Sequence, residues 1–139
     1  MSYSGATFQA VSILLYIHYK SEEELFDYLS SKKIAEMLNI PVPTVVKILT
    51  KLSSAKLIFT KEGAKGGNML ARPITEISLL DVFNAMEQGK PLFKTHHNFN
   101  MEYDDDLNQI IDSGVASLNS AEIAMKDSLE KVRLIDLLK

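Results

Sequence analysis

Residues 31–72 have the sequence SKKIAEMLNIPVPTVVKILTKLSSAKLIFTKEGAKGGNMLAR, in which two short helical patterns precede a glycine-rich turn. The first pattern opens at Ser31, a residue type favoured at helix caps, and its apolar residues recur at helical spacing. It ends at residues 39–41, because the residue before a proline is displaced from helical geometry and asparagine tolerates a turn. One short helix followed by a tight break is therefore predicted.

A second helix follows at once, with Pro43 at its first position, where the missing N–H of proline costs nothing. Its apolar stripe consists of Val45, Ile48, Leu49 and Leu52. Thr44, Lys47 and Lys51 fall on the other side. This helix should therefore bury one face and expose the other.

Two β-prone segments, residues 56–60 and 68–72, flank three glycines that lie between positions 63 and 67. This arrangement predicts a β-hairpin with Lys61 and Lys65 near its tip. Helix, turn, helix and basic hairpin together describe a winged helix-turn-helix, a fold that presents a helix to nucleic acid.

The chain resembles the Rrf2 family of bacterial transcriptional regulators. The match is carried by Ser31-x-x-Ile34-Ala35-Glu36-x-Leu38-x-Ile40, Val45-x-Lys47-Ile48-Leu49-x-x-Leu52-x-x-Ala55-x-Leu57-Ile58, Gly63-x-x-Gly66-Gly67-x-x-Leu70-Ala71-Arg72 and Ile77-x-Leu79-x-Asp81-Val82. The carboxy-terminal half matches in layout more than in residues. The resemblance implies DNA binding and dimerisation through a long carboxy-terminal helix.

Some members of that family sense iron or nitric oxide through a cluster held by cysteines, in the segment that corresponds here to residues 88–103. This chain contains no cysteine. Disulfides, thiolate nucleophiles and cysteine-held clusters are therefore excluded, and we expect no cofactor. The resembled family also includes members without a cluster, one of which responds to its signal through a partner enzyme.

The net charge of −3 is an average over two unlike halves: residues 1–72 carry +3 and residues 73–139 carry −6. Local potential steers a protein to phosphate, so the positive excess lies where the motif requires it. No apolar run approaches the ~20 residues that cross a bilayer. The first residues lack the positive charge of a secretory signal. We therefore expect no membrane association and a cytoplasmic location.

Enzymatic activity is not expected, because the sequence has no phosphate-binding glycine loop, nucleophile elbow or metal-ligand spacing. His96 and His97 form a minor alternative, a metal or proton sensor. Adjacent histidines cannot easily ligate one ion together, and no spaced partner is evident.

We predict a mainly α fold with a small β-hairpin, divided into a winged helix-turn-helix domain (1–87), a linker (88–103) and a dimerisation helix with a short terminal helix (104–139). Residues 7–19, including Phe8, are apolar on nearly every side, which predicts a helix buried between other elements. The resemblance implies that this helix also touches the partner subunit. Residues 21–24 fit a capping box at Ser21 that opens a short helical turn, whereas residues 26–29 could instead form the first strand of the winged sheet. Arg133 stands where the resembled family prefers a capping threonine, which predicts a frayed end.

Apolar and small residues recur every seven positions in the last predicted helix, as in a coiled-coil seam. The predicted dimer contacts are Leu107, Ile111, Gly114, Leu118, Ala121, Met125 and Val132. The alternative is that this helix packs back onto its own domain. We favour self-association, because a long helix after a linker has few partners in so small a domain.

The predicted DNA contacts are Ser31, Thr44, Val46, Lys47, Lys51, Lys61, Lys65, Gly66, Gly67 and Asn68. Lys47 and Lys51 would contact phosphates or base edges, and otherwise are solvated surface residues. Val46 would touch a thymine methyl group if exposed, and is core if buried. Glu62 would repel phosphate unless it turns away.

These observations predict a homodimeric, sequence-specific DNA-binding transcriptional regulator, a repressor on a near-palindromic operator in double-stranded DNA. The half-sites should lie about 34 Å apart or a multiple of it. A small-molecule or protein effector would control it. The alternative is a winged-helix protein-interaction module that has lost DNA binding, which Glu62 and the acidic second half favour.

Overall fold

A computed structural model describes residues 5–23, 28–100 and 104–138. The helices in these ranges are α1 (Ala6–Ser21), α2 (Ser31–Leu38), α3 (Val42–Ser54), α4 (Leu79–Glu87) and α5 (Asp105–Glu130). Strands β1 (Ile58–Lys61) and β2 (Gly67–Leu70) form a hairpin, and short 3-10 turns cover Ile74–Glu76 and Leu134–Leu137. The predicted fold, mainly helical with one small hairpin, is confirmed.

The helix-turn-helix unit is formed by α2 and α3. The cap of α2 is Ser30, whose hydroxyl accepts a hydrogen bond from the Lys33 amide at 3.1 Å, so the cap predicted at Ser31 is wrong by one residue. Asn39 adopts the left-handed conformation with φ 52° and ψ 47°, which confirms the predicted break. Pro43 is the second residue of α3 rather than the first.

We call the wing the hairpin made of β1, β2 and the turn between them. The strands are antiparallel, with Ile58 opposite Leu70 and Lys61 opposite Gly67. Leu29 extends this sheet by an isolated bridge to Asn68, with N–H···O distances of 2.9 and 2.8 Å. The first-strand alternative for residues 26–29 is thus represented by one bridge at Leu29, while residues 24–27 lie outside the described residues.

The helical-turn alternative, for residues 21–24, placed a cap at Ser21. The structure makes Ser21 the last residue of α1, and its hydroxyl donates to the His18 carbonyl at 2.7 Å. Ser21 therefore helps to end a helix instead of opening one.

One core joins the first four helices to the wing, and α1 runs through it. The fully buried side chains of this core are Ile13, Leu14, Ile17, Ile34, Val45, Leu52, Leu57, Ile58, Ile77, Val82 and Leu134. Two large side chains of α1 lie outside this core, since Phe8 is 77% exposed and Tyr19 is 63% exposed, so the prediction of a helix buried between other elements is wrong at these two positions.

A salt bridge and a cap join the end of the wing to α4. Ser78 and Asp81 form a reciprocal capping box at the start of α4. The Asp81 carboxylate also lies 3.3 Å from the Arg72 guanidinium, which in turn donates to the Glu76 carbonyl. Asp81 therefore stabilises both the start of α4 and the position of Arg72, which lies just after the hairpin.

The chain end is anchored to the core. Leu134 is fully buried and its amide donates to the Ile77 carbonyl at 2.9 Å, while the Leu79 amide donates to the Val132 carbonyl at 2.8 Å. The predicted fraying after Arg133 is therefore wrong. Val132 lies beyond α5, which ends at Glu130, so it does not continue the predicted helical seam.

α5 has no buried residue along its 26 residues. One edge packs towards α4 and the segment before α5, where the Leu92 amide donates to the Glu122 carboxylate. Half-buried residues on this edge include Ile111, Val115 and Leu129. The alternative of packing back onto the domain is therefore realised along one edge of α5.

Candidate nucleic-acid interface

A groove of about 510 Å³ runs between α3 and the wing. Its residues are Ser30, Ser31, Val46, Leu49, Thr50, Ser53, Ser54, Thr60, Lys61, Glu62, Gly63, Gly66, Gly67 and Asn68. The start of α2 therefore contributes to the groove, which brings the predicted Ser31 to the same surface as the predicted wing residues. Six of the lining residues are serine or threonine, and their hydroxyl groups can hydrogen-bond to DNA.

α3 positions its outer residues by burying the opposite stripe, where Val45 and Leu52 are inaccessible to solvent. Val46 is 47% exposed. Val46 is therefore a surface residue and not part of the core, and its methyl groups can contact the methyl group of a thymine. Thr50 lies one turn further along the same face, and its hydroxyl donates to the Val46 carbonyl at 2.9 Å.

Thr50 was not among the predicted contacts, although the helical period contained the signal. A residue four positions after Val46 shares its face. The prediction favoured the charge of Lys51 over the position of Thr50 on the same face as Val46.

The two lysines of α3 differ in their surroundings. Lys47 is exposed, whereas Lys51 is half-buried and its ammonium donates to the Met86 carbonyl in α4 at 3.3 Å. Thr44, half-buried at the start of α3, lies with both lysines on the side of the helix that faces α1. Phosphate contact by Lys47 stays a prediction, and contact by Lys51 requires release from Met86.

The wing supplies positive charge from Lys61 and Lys65, which are both exposed. The Lys61 ammonium lies 5.4 Å from the centre of the Tyr28 ring, within the range of a cation–π contact. Sequence reasoning missed Tyr28, because its proximity to Lys61 depends on the bridge between Leu29 and β2. Glu62 lines the same groove, where its charge opposes a phosphate.

The glycines of the wing serve the hairpin itself. A Cβ atom on Gly66 would lie 2.0 Å from the Lys61 carbonyl oxygen. Gly67 has φ +147°, and a Cβ atom there would lie 2.7 Å from the Leu29 main chain. Close approach within the protein therefore requires glycine at both positions, and their contact with DNA stays a prediction.

Asn68 is only 2% exposed. Its side-chain amide donates to the Leu29 carbonyl at 3.0 Å and its carbonyl accepts from the Thr60 hydroxyl at 3.0 Å. Both ends of the side chain are thus satisfied inside the sheet. This internal role corrects the prediction that the Asn68 side chain contacts DNA.

The predicted dimer seam on α5 is divided. Ile111 and Met125 are half-buried by the rest of the chain. The exposed members of the seam are Leu107, Gly114, Leu118 and Ala121. Ile110 adds to them, since it precedes Gly114 by one helical turn and is 66% exposed. An apolar stripe therefore remains open along α5.

The described ranges contain no cluster of three or more histidine, cysteine, aspartate or glutamate side chains that could hold a metal. His97 stacks on Phe99, with 4.6 Å between ring centres. No helix in residues 5–23, 28–100 or 104–138 is both long and apolar enough to span a membrane.

Comparison with known proteins identifies the class. The family model described as "Rrf2: Iron-dependent Transcriptional regulator" matches residues 3–139. The chain is 28% identical to the HTH-type transcriptional regulator NsrR of Oceanobacillus iheyensis over 143 residues, covering 100% of this chain and 90% of that protein. The sequence relationship therefore extends through α5 and is not limited to the helix-turn-helix unit.

Solved structures share the fold. CymR, the global cysteine regulator of B. subtilis, superposes with a TM-score of 0.64 at 20% identity, covering 99% of this chain and 95% of that one. A putative transcriptional regulator from Lactobacillus plantarum gives a TM-score of 0.78 at 15% identity, covering 96% of this chain and 87% of that one.

The family description names iron, and the ligands for a thiolate-held cluster can be checked against this sequence. The 139 residues include no cysteine, so such a cluster does not fit the side chains present. The groove, the open helix and the match over residues 3–139 lead to the same class. The chain belongs to the Rrf2 family and is a winged helix-turn-helix transcriptional regulator that binds DNA.

Proposed function

We propose that this regulator binds a near-palindromic operator as a homodimer and represses transcription. The observation that carries the proposal is the groove between α3 and the wing, where the exposed face of a helix lies beside a basic hairpin. A helix of this kind enters the major groove while the flanking elements contact the sugar-phosphate backbone.

The residues divide into two roles. Val46 and Thr50 project from the exposed face of α3, and their methyl and hydroxyl groups would contact base edges. Lys47, Lys61 and Lys65 would contact phosphates, which fixes the register of the helix but carries no sequence information. Selectivity is therefore assigned to Val46 and Thr50, and affinity to the lysines.

Dimerisation would use the open stripe of α5. Exposed Leu107, Ile110 and Leu118, with Gly114 and Ala121 between them, offer an apolar surface with small residues at which two helices can approach closely. A two-fold axis through such a contact presents two copies of α3, so the operator half-sites should lie about 34 Å apart or a multiple of it.

Repression needs no activity beyond binding, because a dimer that covers a promoter excludes the polymerase. We therefore assign no catalytic role to the chain. Since its target is chromosomal DNA, we place its action in the cytoplasm. The division into residues 1–87, 88–103 and 104–139 is part of the proposal, with a small-molecule or protein effector acting between the DNA-binding domain and the dimerisation helix.

The second candidate, a protein-interaction module, is favoured by one observation: Glu62 lines the groove and opposes phosphate there. Under this alternative the groove would receive a protein segment in place of DNA. The two candidate functions predict different results when the protein is mixed with sheared genomic DNA, because only a regulator should retain fragments that share a sequence.

The deciding experiment incubates the purified 139-residue chain with genomic fragments at low and moderate salt and sequences what is retained. A shared inverted repeat that persists at moderate salt supports the operator proposal. Retention without enrichment, lost as salt rises, would reflect charge alone and favour the interaction module. A Val46→Ala and Thr50→Ala double variant is the matched control, because it should lose the repeat and keep the charge-driven retention.

A further inference from the structure

A second cleft lies on the side of α3 that faces away from the wing. Its volume is about 410 Å³, and it is enclosed by the start of α1, the first half of α3 and the end of α4. The residues that matter for its chemistry are Gln9, Thr44, Lys47, Ile48, Lys51 and Met86. A volume of this size is within the range of small-molecule sites, about 300–1,000 Å³.

The charged side chains in the described lining of this cleft are all positive. Lys47 and Lys51 are the ionisable side chains in its described lining, and that lining includes no carboxylate. Ile48 and Met86 contribute apolar wall, and Gln9 and Thr44 contribute hydrogen-bonding groups. Two ammonium groups beside an apolar wall complement a molecule that has an apolar body and a negatively charged end.

An anion can replace the hydrogen-bond acceptor of Lys51. Its ammonium donates to the Met86 carbonyl at 3.3 Å, a long bond to a neutral acceptor. A carboxylate accepts a shorter and stronger bond from an ammonium group. Since Met86 is the penultimate residue of α4, a molecule bound here would bridge α3 to the helix end that leads towards α5.

We propose that this cleft binds a small amphipathic anion, a medium-chain carboxylate or a molecule of the same chemistry, through Lys51 and Lys47. Bound ligand lowers operator affinity, because it neutralises Lys47, one of the proposed phosphate contacts. This consequence rests on the proposed function, whereas the binding itself does not.

The test is a titration of the isotope-labelled chain with octanoate, followed by amide resonances in NMR, with octan-1-ol as the uncharged match. Octanoate should shift the amides of Gln9, Thr44 and Ile48 and bind at least about tenfold more tightly than octan-1-ol, as expected for a charge-assisted hydrogen bond. Equal binding of the two probes, or shifts confined to the open stripe of α5, would overturn the proposal.

Three variants make the test specific. Lys51→Gln should weaken octanoate binding about tenfold, Lys51→Arg should retain it, and Lys65→Gln in the wing should leave it unchanged. If Lys51→Gln does not fold, the comparison of Lys51→Arg and the wild-type chain with the two probes still decides. Weakening by Lys65→Gln equal to that by Lys51→Gln would contradict a site in this cleft.

A final arm separates this proposal from the operator proposal. Octanoate is added to the chain bound to its recovered repeat, and release should follow the occupancy measured by NMR. Specific octanoate binding with no recoverable repeat would refute the operator while the site stands. A recovered repeat without specific octanoate binding would refute the site while the operator stands.

Discussion

Leu52 in α3 is fully buried, whereas Leu118 in α5 is 39% exposed. The unit formed by α1–α4 and the wing differs from α5 in the same way, as a closed core differs from an exposed helix. The first four helices and the wing share one closed core, to which the terminal Leu134 also contributes. α5 contributes no buried residue. The difference indicates that the core shared by α1–α4, the wing and Leu134 is closed by contacts within one chain, while α5 needs a further surface to cover its apolar stripe.

Local interactions cannot replace that surface. Asp104 caps α5 by accepting from the Leu107 amide at 2.9 Å, and Glu122 lies 3.9 Å from Lys126 one turn away. A cap contributes about 1 kcal/mol and an exposed ion pair still less. Association with a second copy is therefore expected to contribute most of the stability of α5.

The largest expected effect is on the closed core. Leu52→Ala removes a fully buried side chain and should lower the free energy of unfolding by about 2–5 kcal/mol. Urea denaturation followed by circular dichroism measures it. Leu118→Ala is the matched control, because at 39% exposure it loses little within one chain. Equal losses for the two variants at a concentration too low for dimers would remove the contrast.

The next effect concerns the open stripe. Leu118→Ala should weaken dimerisation at least about tenfold, because burying a leucine contributes about 1.5–3 kcal/mol. Ile123→Ala should not, since Ile123 is 59% exposed and lies about 140° further around the helix. Light scattering over a dilution series gives both constants. Weakening by Ile123→Ala alone would move the interface to the other face of α5.

Asn68→Ala tests the internal role of a residue that was predicted to contact DNA. Loss of its amide removes the bond to the buried Leu29 carbonyl together with the bond from Thr60, and should lower the free energy of unfolding by about 1–3 kcal/mol. Thermal and urea unfolding measure the change. Unchanged stability combined with lost operator binding would restore Asn68 to the DNA contacts.

The smallest effect distinguishes the lysines. Lys47→Ala should reduce the salt dependence of operator binding by the equivalent of about one phosphate contact. Lys90→Ala, an exposed lysine after α4, should leave the slope unchanged. Fluorescence anisotropy at several salt concentrations gives both slopes. The same reduction in both variants would show a general charge effect in place of a contact.

The helix-turn-helix unit could be predicted because its determinants are local. Asn39 and Pro41 break the chain within a few residues of the helices they separate, and the stripe from Val45 to Leu52 has an unambiguous period. The cap was misplaced by one residue, because Ser30 and Ser31 are equally suitable types. Choosing between them requires the geometry of the preceding backbone.

The errors arose where a residue depends on a distant part of the chain. Gly67 and Asn68 both serve Leu29, a residue 38 and 39 positions earlier. The chain end is held by Ile77, more than fifty residues before it, so a weak local cap at Arg133 does not fray it. Such pairings have no local signal, and polar or glycine residues near a predicted site were therefore attributed to DNA.

Hydroxyl-radical footprinting of the chain on its recovered repeat tests the central claim most directly. Two copies that each insert α3 into a major groove should protect two patches on one face of the duplex, about 34 Å or a multiple of it apart. Leu118→Ala should reduce both patches together at low protein concentration. A single protected patch, or uniform protection that Leu118→Ala leaves unchanged, would contradict a dimer that reads two half-sites.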